Sequence, residues 1–219
     1  MKKIVFTATV AIATVLTGLV SAYEEGGDAA YDDESLSGIF FGVGGGYSFA
    51  SKDSAKSLSS SHEASKNVDR LMGTIIFGSG KTMLAHRIYL GGEILVDFAK
   101  TKRSDQKLDS VDVKLRNNGV TSSFGFRIGY PGTASCTLFF IKAGATYAKS
   151  VLEYNNWRLT NAKLTPFFGF GMEKAFNKRV SLRGDLEYRL KNDKKNSEYK
   201  LERGHAVNIR VLGVYHVKY

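Results

Sequence analysis

The chain has 219 residues, with 31 Lys and Arg against 21 Asp and Glu, 43% apolar residues, 12% aromatics, 23 Gly, two Pro and one Cys. That apolar content supports a buried core in a single domain, and one Cys excludes a disulfide framework or a thiolate metal site. A net charge of +10 invites a polyanion as partner, but composition leaves open whether the charge forms a patch or is spread along the chain.

Residues 1–22, MKKIVFTATVAIATVLTGLVSA, begin with Lys2 and Lys3, pass through an apolar run from Ile4 to Val20 and end in small residues. This is the pattern of a secretory signal peptide, with cleavage expected before Tyr23. Residues 23–35 carry six acids and no base and read as a disordered acidic lead-in. No later apolar run approaches the roughly 20 residues of a spanning helix, so an exported chain of this kind enters a membrane only as strands.

From residue 36 onward apolar and polar positions alternate with a period of two, which marks strands rather than helices. Eight such segments run from Ile39 to Phe49, Leu71 to Phe77, Ile88 to Phe98, Phe124 to Tyr130, Phe139 to Tyr147, Leu164 to Met172, Val180 to Leu190 and Val207 to Tyr219. The seventh is the clearest: Val180, Leu182, Leu186 and Tyr188 alternate with Ser181, Arg183, Asp185, Glu187 and Arg189. The second is weak, and β-branched content alone supports it. Three connections are expected to be short turns, GSGKT (78–82), PGTAS (131–135) and AFNK (175–178), and four to be long polar loops, 50–67, 99–119, 149–161 and 191–204. Short turns on one rim and long loops on the other are the asymmetry of an antiparallel up-and-down transmembrane β-barrel, turns toward the periplasm.

Alternation does not say which face points outward. The polar face mixes Gly with long charged side chains, as a narrow barrel interior requires. Aromatics gather near strand ends, at Tyr47, Phe49, Phe98, Tyr147 and Tyr188 toward the loops and Phe77, Tyr130 and Tyr219 toward the turns, the two levels of a membrane interface. These features favour an all-β, eight-stranded barrel in a membrane over a soluble barrel with an apolar interior. The leader, the opening strand SGIFFGVGGGYSF, the eight strands with long loops on one rim and the ending VLGVYHVKY together resemble the small OmpA/OmpX-like outer-membrane β-barrel family, over essentially the whole mature chain. The resemblance implies a Gram-negative outer-membrane location and an assembly signal in Tyr215, Val217 and Tyr219, read by the barrel assembly machinery. It also leads us to expect no peptidoglycan-binding domain after the last strand.

On this reading the lumen holds Arg87, Arg127, Lys142, Lys163, Arg183, Arg189 and Arg210 against Glu93, Asp97, Glu173, Asp185 and Glu187. Mixed charge in a tight space favours mutual pairing over an open pore, with a narrow ion path as the alternative. Each long loop is net positive: +1 for 50–67, +3 for 99–119, +1 for 149–161 and +2 for 191–204. Lys100, Lys102, Arg103, Lys107, Lys194, Lys195 and Lys200 are candidate contacts for lipopolysaccharide phosphates or an anionic host surface, against the plainer reading of solvated loops. Trp157, with Tyr154, is expected to anchor its loop at the interface or to form a contact spot. The distribution does not suit nucleic acid.

Enzyme motifs fail on spacing. GSGKT lacks the glycine that a phosphate-binding loop needs five residues before Gly80, where Ile75 stands. His62, His86, His205 and His216 show no local arrangement of nucleophile, base and orienter. Neither metal nor other cofactor is expected, and Cys136 reads as a structural thiol. The expectation is a non-enzymatic barrel for surface interaction, adhesion or envelope integrity, with a narrow channel and a lipid-modifying enzyme as alternatives.

Overall fold

The structure, a computed structural model, describes residues 36–50, 53–57, 63–66, 69–83, 88–100, 103–108, 111–132, 136–154, 157–195 and 199–217. The expected signal peptide and acidic lead-in, with Arg87, Lys102, His62, His86 and Tyr219, lie outside the described residues. Thirteen strands follow in chain order: β1 (Gly38–Ala50), β2 (Asp53–Ser57), β3 (Glu63–Lys66), β4 (Arg70–Met83), β5 (Ile88–Ala99), β6 (Arg103–Leu108), β7 (Val111–Gly132), β8 (Thr137–Tyr154), β9 (Trp157–Ala175), β10 (Val180–Arg189), β11 (Asn192–Lys195), β12 (Tyr199–Arg203) and β13 (Ala206–Val217).

Eight of these close a barrel. β5, β4, β1, β13, β10, β9, β8 and β7 are antiparallel neighbours in that order, and β7 pairs back onto β5. The first and last barrel strands lie side by side, Gly44 opposite Leu212 and Gly46 opposite Arg210. Phe41, Ile75, Phe77, Ile94, Phe126 and Ile141 are exposed on the outside, while Arg127, Arg183 and Arg210 are completely buried within. An outer face this greasy around so polar an interior inverts a water-soluble fold and suits lipid outside. The outward row on β4 and β5 carries no charge between Lys81, opposite Leu90, and Lys100, just past Ala99. The ten steps from Leu90 to Lys100 are about 33 Å of strand, or ~25 Å of height at a tilt of about 40°. That is the apolar thickness of an outer membrane, with a snorkelling lysine at each edge.

Three expectations are corrected. GSGKT is strand rather than turn: the ladder continues through Gly80 opposite Gly91 and Lys81 opposite Leu90 as far as Met83. Phe77 therefore sits in the middle of the wall, opposite Phe41 and Ile94, and not at the turn rim. The long connections are not irregular loops either. β2, β3, β11 and β12 form a second sheet in the order β11-β12-β2-β3, β6 pairs with the upper part of β7, and β8 and β9 continue as a hairpin to Tyr154 opposite Trp157. β3 lies against β6 and β11 against β9, so all four connections contribute to one crown above the wall. Polar residues on both faces, as in RSDQKL and NDKK, erase the period-two signal by which a half-buried strand is recognised.

Candidate functional site

The inward positions of the wall build one connected polar network along the barrel axis. Beginning at the turn end, His216 Nε2 lies 2.8 Å from Glu173 Oε1, and Arg127 Nη1 donates to Glu173 Oε2 at 2.8 Å. Arg127 also donates to the Tyr89 hydroxyl, and its Nε stands 3.8 Å from Glu93. Arg183 grips Glu93 with both amino nitrogens, at 2.7 and 2.9 Å, and reaches Asp185 at 3.0 Å. Lys142 Nζ sits 3.1 Å from Asp185 and 3.4 Å from Glu187. Arg210 completes the path to the loop end, 3.0 Å from Glu187 and 2.8 Å from Asp97, which accepts a 2.6 Å bond from the Thr74 hydroxyl. Each charge in this chain of contacts has an opposite charge within reach, the condition under which ions survive in a dry interior.

Ten of the twelve lumen residues read from the sequence sit inside, Arg189 among them at the loop-side mouth. Lys163 does not: it has the right parity but stands above the wall, exposed, and donates to the Asp193 carbonyl at 2.7 Å. Arg87 lies outside the described residues. Sequence reading missed the apolar side chains that share the lumen. Phe40, Ile76, Leu95, Leu212 and Val214 form one buried cluster, and Leu36, Tyr89, Leu138, Phe140 and Ala175 another. Several serve the charges directly. The Arg127 guanidinium lies 4.3 Å from the Phe40 ring centroid, and that of Arg183 4.6 Å from Phe140, so rings and cations fill the section together.

Ser181, His216 and Glu173 were not brought together by sequence spacing, yet they meet at the turn end. Ser181 Oγ donates to Glu173 Oε1 at 2.6 Å and stands 3.1 Å from His216 Nε2. Serine and carboxylate thus converge on the same ring nitrogen, whereas a nucleophile relay needs them on opposite nitrogens. With all three side chains buried, the trio reads as a clamp closing β9, β10 and β13.

The loop candidates lie in the crown or at its base. Lys100 is exposed just past β5. By register Arg103 on β6 stands opposite Arg116, and Lys107 opposite Asp112. Lys194 and Lys195 lie on β11, and Lys195 stands opposite Lys200, which in turn stands opposite Lys56. Trp157 falls at the hairpin tip, six positions beyond the Ala148–Lys163 pair, or about 20 Å along the strands. This places its backbone beyond the apolar band. Tyr215 and Val217 line the outward face of β13 at its end.

Part of the crown is tied by ion pairs. Lys191 reaches Glu202 at 2.8 Å, and Lys200 contacts both Glu202 and Asp193. Hydrogen bonds from Lys191 and Lys200 hold the Glu202 carboxyl at about 2, below its ordinary 4.5. A lowered carboxylate stabilises fully above its unfolded value and loses that contribution as pH falls through the folded one. Between pH 4.5 and 2 the amides of β11 and β12 are therefore expected to lose protection in hydrogen exchange, after correction for intrinsic rates. Glu202→Gln should remove most of this pH dependence.

A closed antiparallel barrel of eight strands, apolar outside and ion-paired inside, is an integral protein of the bacterial outer membrane. The chain belongs to the outer membrane protein beta-barrel domain family, which matches residues 12–212. Among solved structures it is similar to the outer membrane protein OprG from Pseudomonas aeruginosa, at 12% identity over 83% of this chain and 98% of that one, with a TM-score of 0.55. Neisserial surface protein A aligns at 16% identity over 84% and 98%, TM-score 0.45. Ail of Yersinia pestis, solved in complex with the heparin analogue sucrose octasulfate, aligns at 10% identity over 81% and 98%, TM-score 0.44. No curated protein matches the chain.

Proposed function

We propose that this protein is a sealed, non-enzymatic outer-membrane barrel that works through its crown, holding anionic surface polymers such as lipopolysaccharide phosphates or acidic polysaccharides of a host. The observation that carries the reading is the lumen: its charges are engaged with one another and its gaps are filled by rings, which leaves solute passage without a path and the crown as the working surface. The four crown-forming segments are each net positive, and basic residues near an anionic surface contribute about 1 kcal/mol apiece at low salt.

The test is binding of the detergent-purified protein to lipopolysaccharide vesicles and to a sulfated polysaccharide, as a function of salt. Binding should weaken steeply with ionic strength. Reversing Arg103, Lys107, Lys194 and Lys195 to Glu should lower affinity at least about a hundredfold while the barrel keeps its heat-modifiable migration. Unchanged affinity in that variant would refute the crown as the binding surface.

A further inference from the structure

We infer that the lipid-facing wall carries a built site for one phospholipid of the periplasmic leaflet, with the lipid phosphate on Lys81 and an acyl chain in a groove that runs around the barrel from β4 to β10. The groove is an open depression of about 1160 Å³ on the outer surface, and its lining also takes in Gly38 and Ile39 of β1. Its floor follows two neighbouring hydrogen-bonded rows of outward residues. In one, Ser79 stands opposite Gly92, Gly92 opposite Phe126, Phe126 opposite Ala143 and Ala143 opposite Phe168. In the other, Lys81 stands opposite Leu90, Leu90 opposite Ile128, Ile128 opposite Ile141 and Ile141 opposite Phe170.

Rows perpendicular to tilted strands climb across the wall, so the groove rises from Lys81 near the turn rim toward Tyr188 near the loop rim. At ~4.8 Å per strand, its six-strand reach from β4 to β10 is about 24 Å, and the acyl chain of a periplasmic-leaflet lipid takes the part of it below the middle of the wall, next to Lys81. The hollow is not a packing requirement of the wall. A Cβ placed on Gly92 would meet only the Phe126 ring, at 4.0 Å, whereas a Cβ on inward Gly44 or Gly144 would lie within 2.0 or 2.1 Å of a neighbouring carbonyl. The small residues at 79 and 92 thus leave space on the lipid side that the barrel itself does not use. Lys81 lines the same groove at its low end, is exposed, and has no acidic partner among the described residues. A cation at headgroup level above an apolar channel matches an anionic phosphate joined to a hydrocarbon tail.

Native mass spectrometry of the full chain in detergent with added phosphatidylglycerol tests this. Wild type should retain one lipid per barrel at concentrations where excess lipid is lost. Lys81→Ala should weaken retention about tenfold, and Gly92→Leu, which fills the groove and leaves Lys81 in place, should weaken it as much. Lys178→Ala, at the same rim but outside the groove, should leave it unchanged. Heat-modifiable migration reports folding of every variant. Loss in Lys81→Ala but not in Gly92→Leu would reduce the site to general charge attraction and overturn the groove. Lack of stoichiometric retention by folded wild type would overturn the proposal outright.

Discussion

Arg183→Ala is expected to destabilise the barrel by about 3–5 kcal/mol, the cost of leaving buried charges without their partner. Arg183 is fully buried, grips Glu93 with both amino nitrogens, touches Asp185 and lies over Phe140. Its removal leaves Glu93 only the longer contacts to Arg127 and Lys142, which Glu173, Asp185 and Glu187 already engage. Urea unfolding in lipid vesicles, followed by heat-modifiable migration, measures the loss. The triple change Arg183→Met, Glu93→Gln and Asp185→Asn removes the charges together and should recover most of it, since replacing a whole buried ion cluster by well-packed neutral groups is close to neutral. A structural role through bulk alone predicts no such recovery.

Gly44→Ala is expected to be as damaging for a different reason. A Cβ there would lie 2.0 Å from the Val211 carbonyl oxygen and 2.7 Å from the Leu212 Cα. Both atoms belong to the backbone of β13, the strand that closes the barrel against β1, so no side chain can move aside. The cost should be at least about 3 kcal/mol, appearing as slow or incomplete closure. Gly45→Ala, one residue on and facing outward, has its nearest contact at 3.5 Å and should change stability by less than about 0.5 kcal/mol. The pair separates close strand approach from glycine's general flexibility, because both sit in the same strand.

How much of this was legible beforehand follows from where each signal originates. The eight barrel strands could be read because lipid outside and charge inside impose a period of two over many residues, as in β10 and β13. β4 was faint because Met72 and Ile76 place apolar side chains on its inward face, which blurs alternation against Leu71, Ile75 and Phe77. The same blurring hid Phe40, Phe140 and Phe167, each next to an outward aromatic or aliphatic residue in sequence. The charges of the lumen could be listed, but not their pairing: Arg183 meets Glu93 across 90 residues and Arg210 meets Asp97 across 113, distances that only barrel closure spans. Lys163 shows the limit of parity, which assigns a face and says nothing of height. The crown strands were not read because sequences such as RSDQKL and NDKK carry no alternation of apolar and polar residues.

The proposal that the lumen is sealed is tested most directly by planar-bilayer recording of the folded wild-type chain. The ion-paired, ring-filled interior predicts a quiet membrane, with no steady conductance at moderate voltage. Large, stable, reproducible openings from the purified barrel would contradict it and return the protein to the channels.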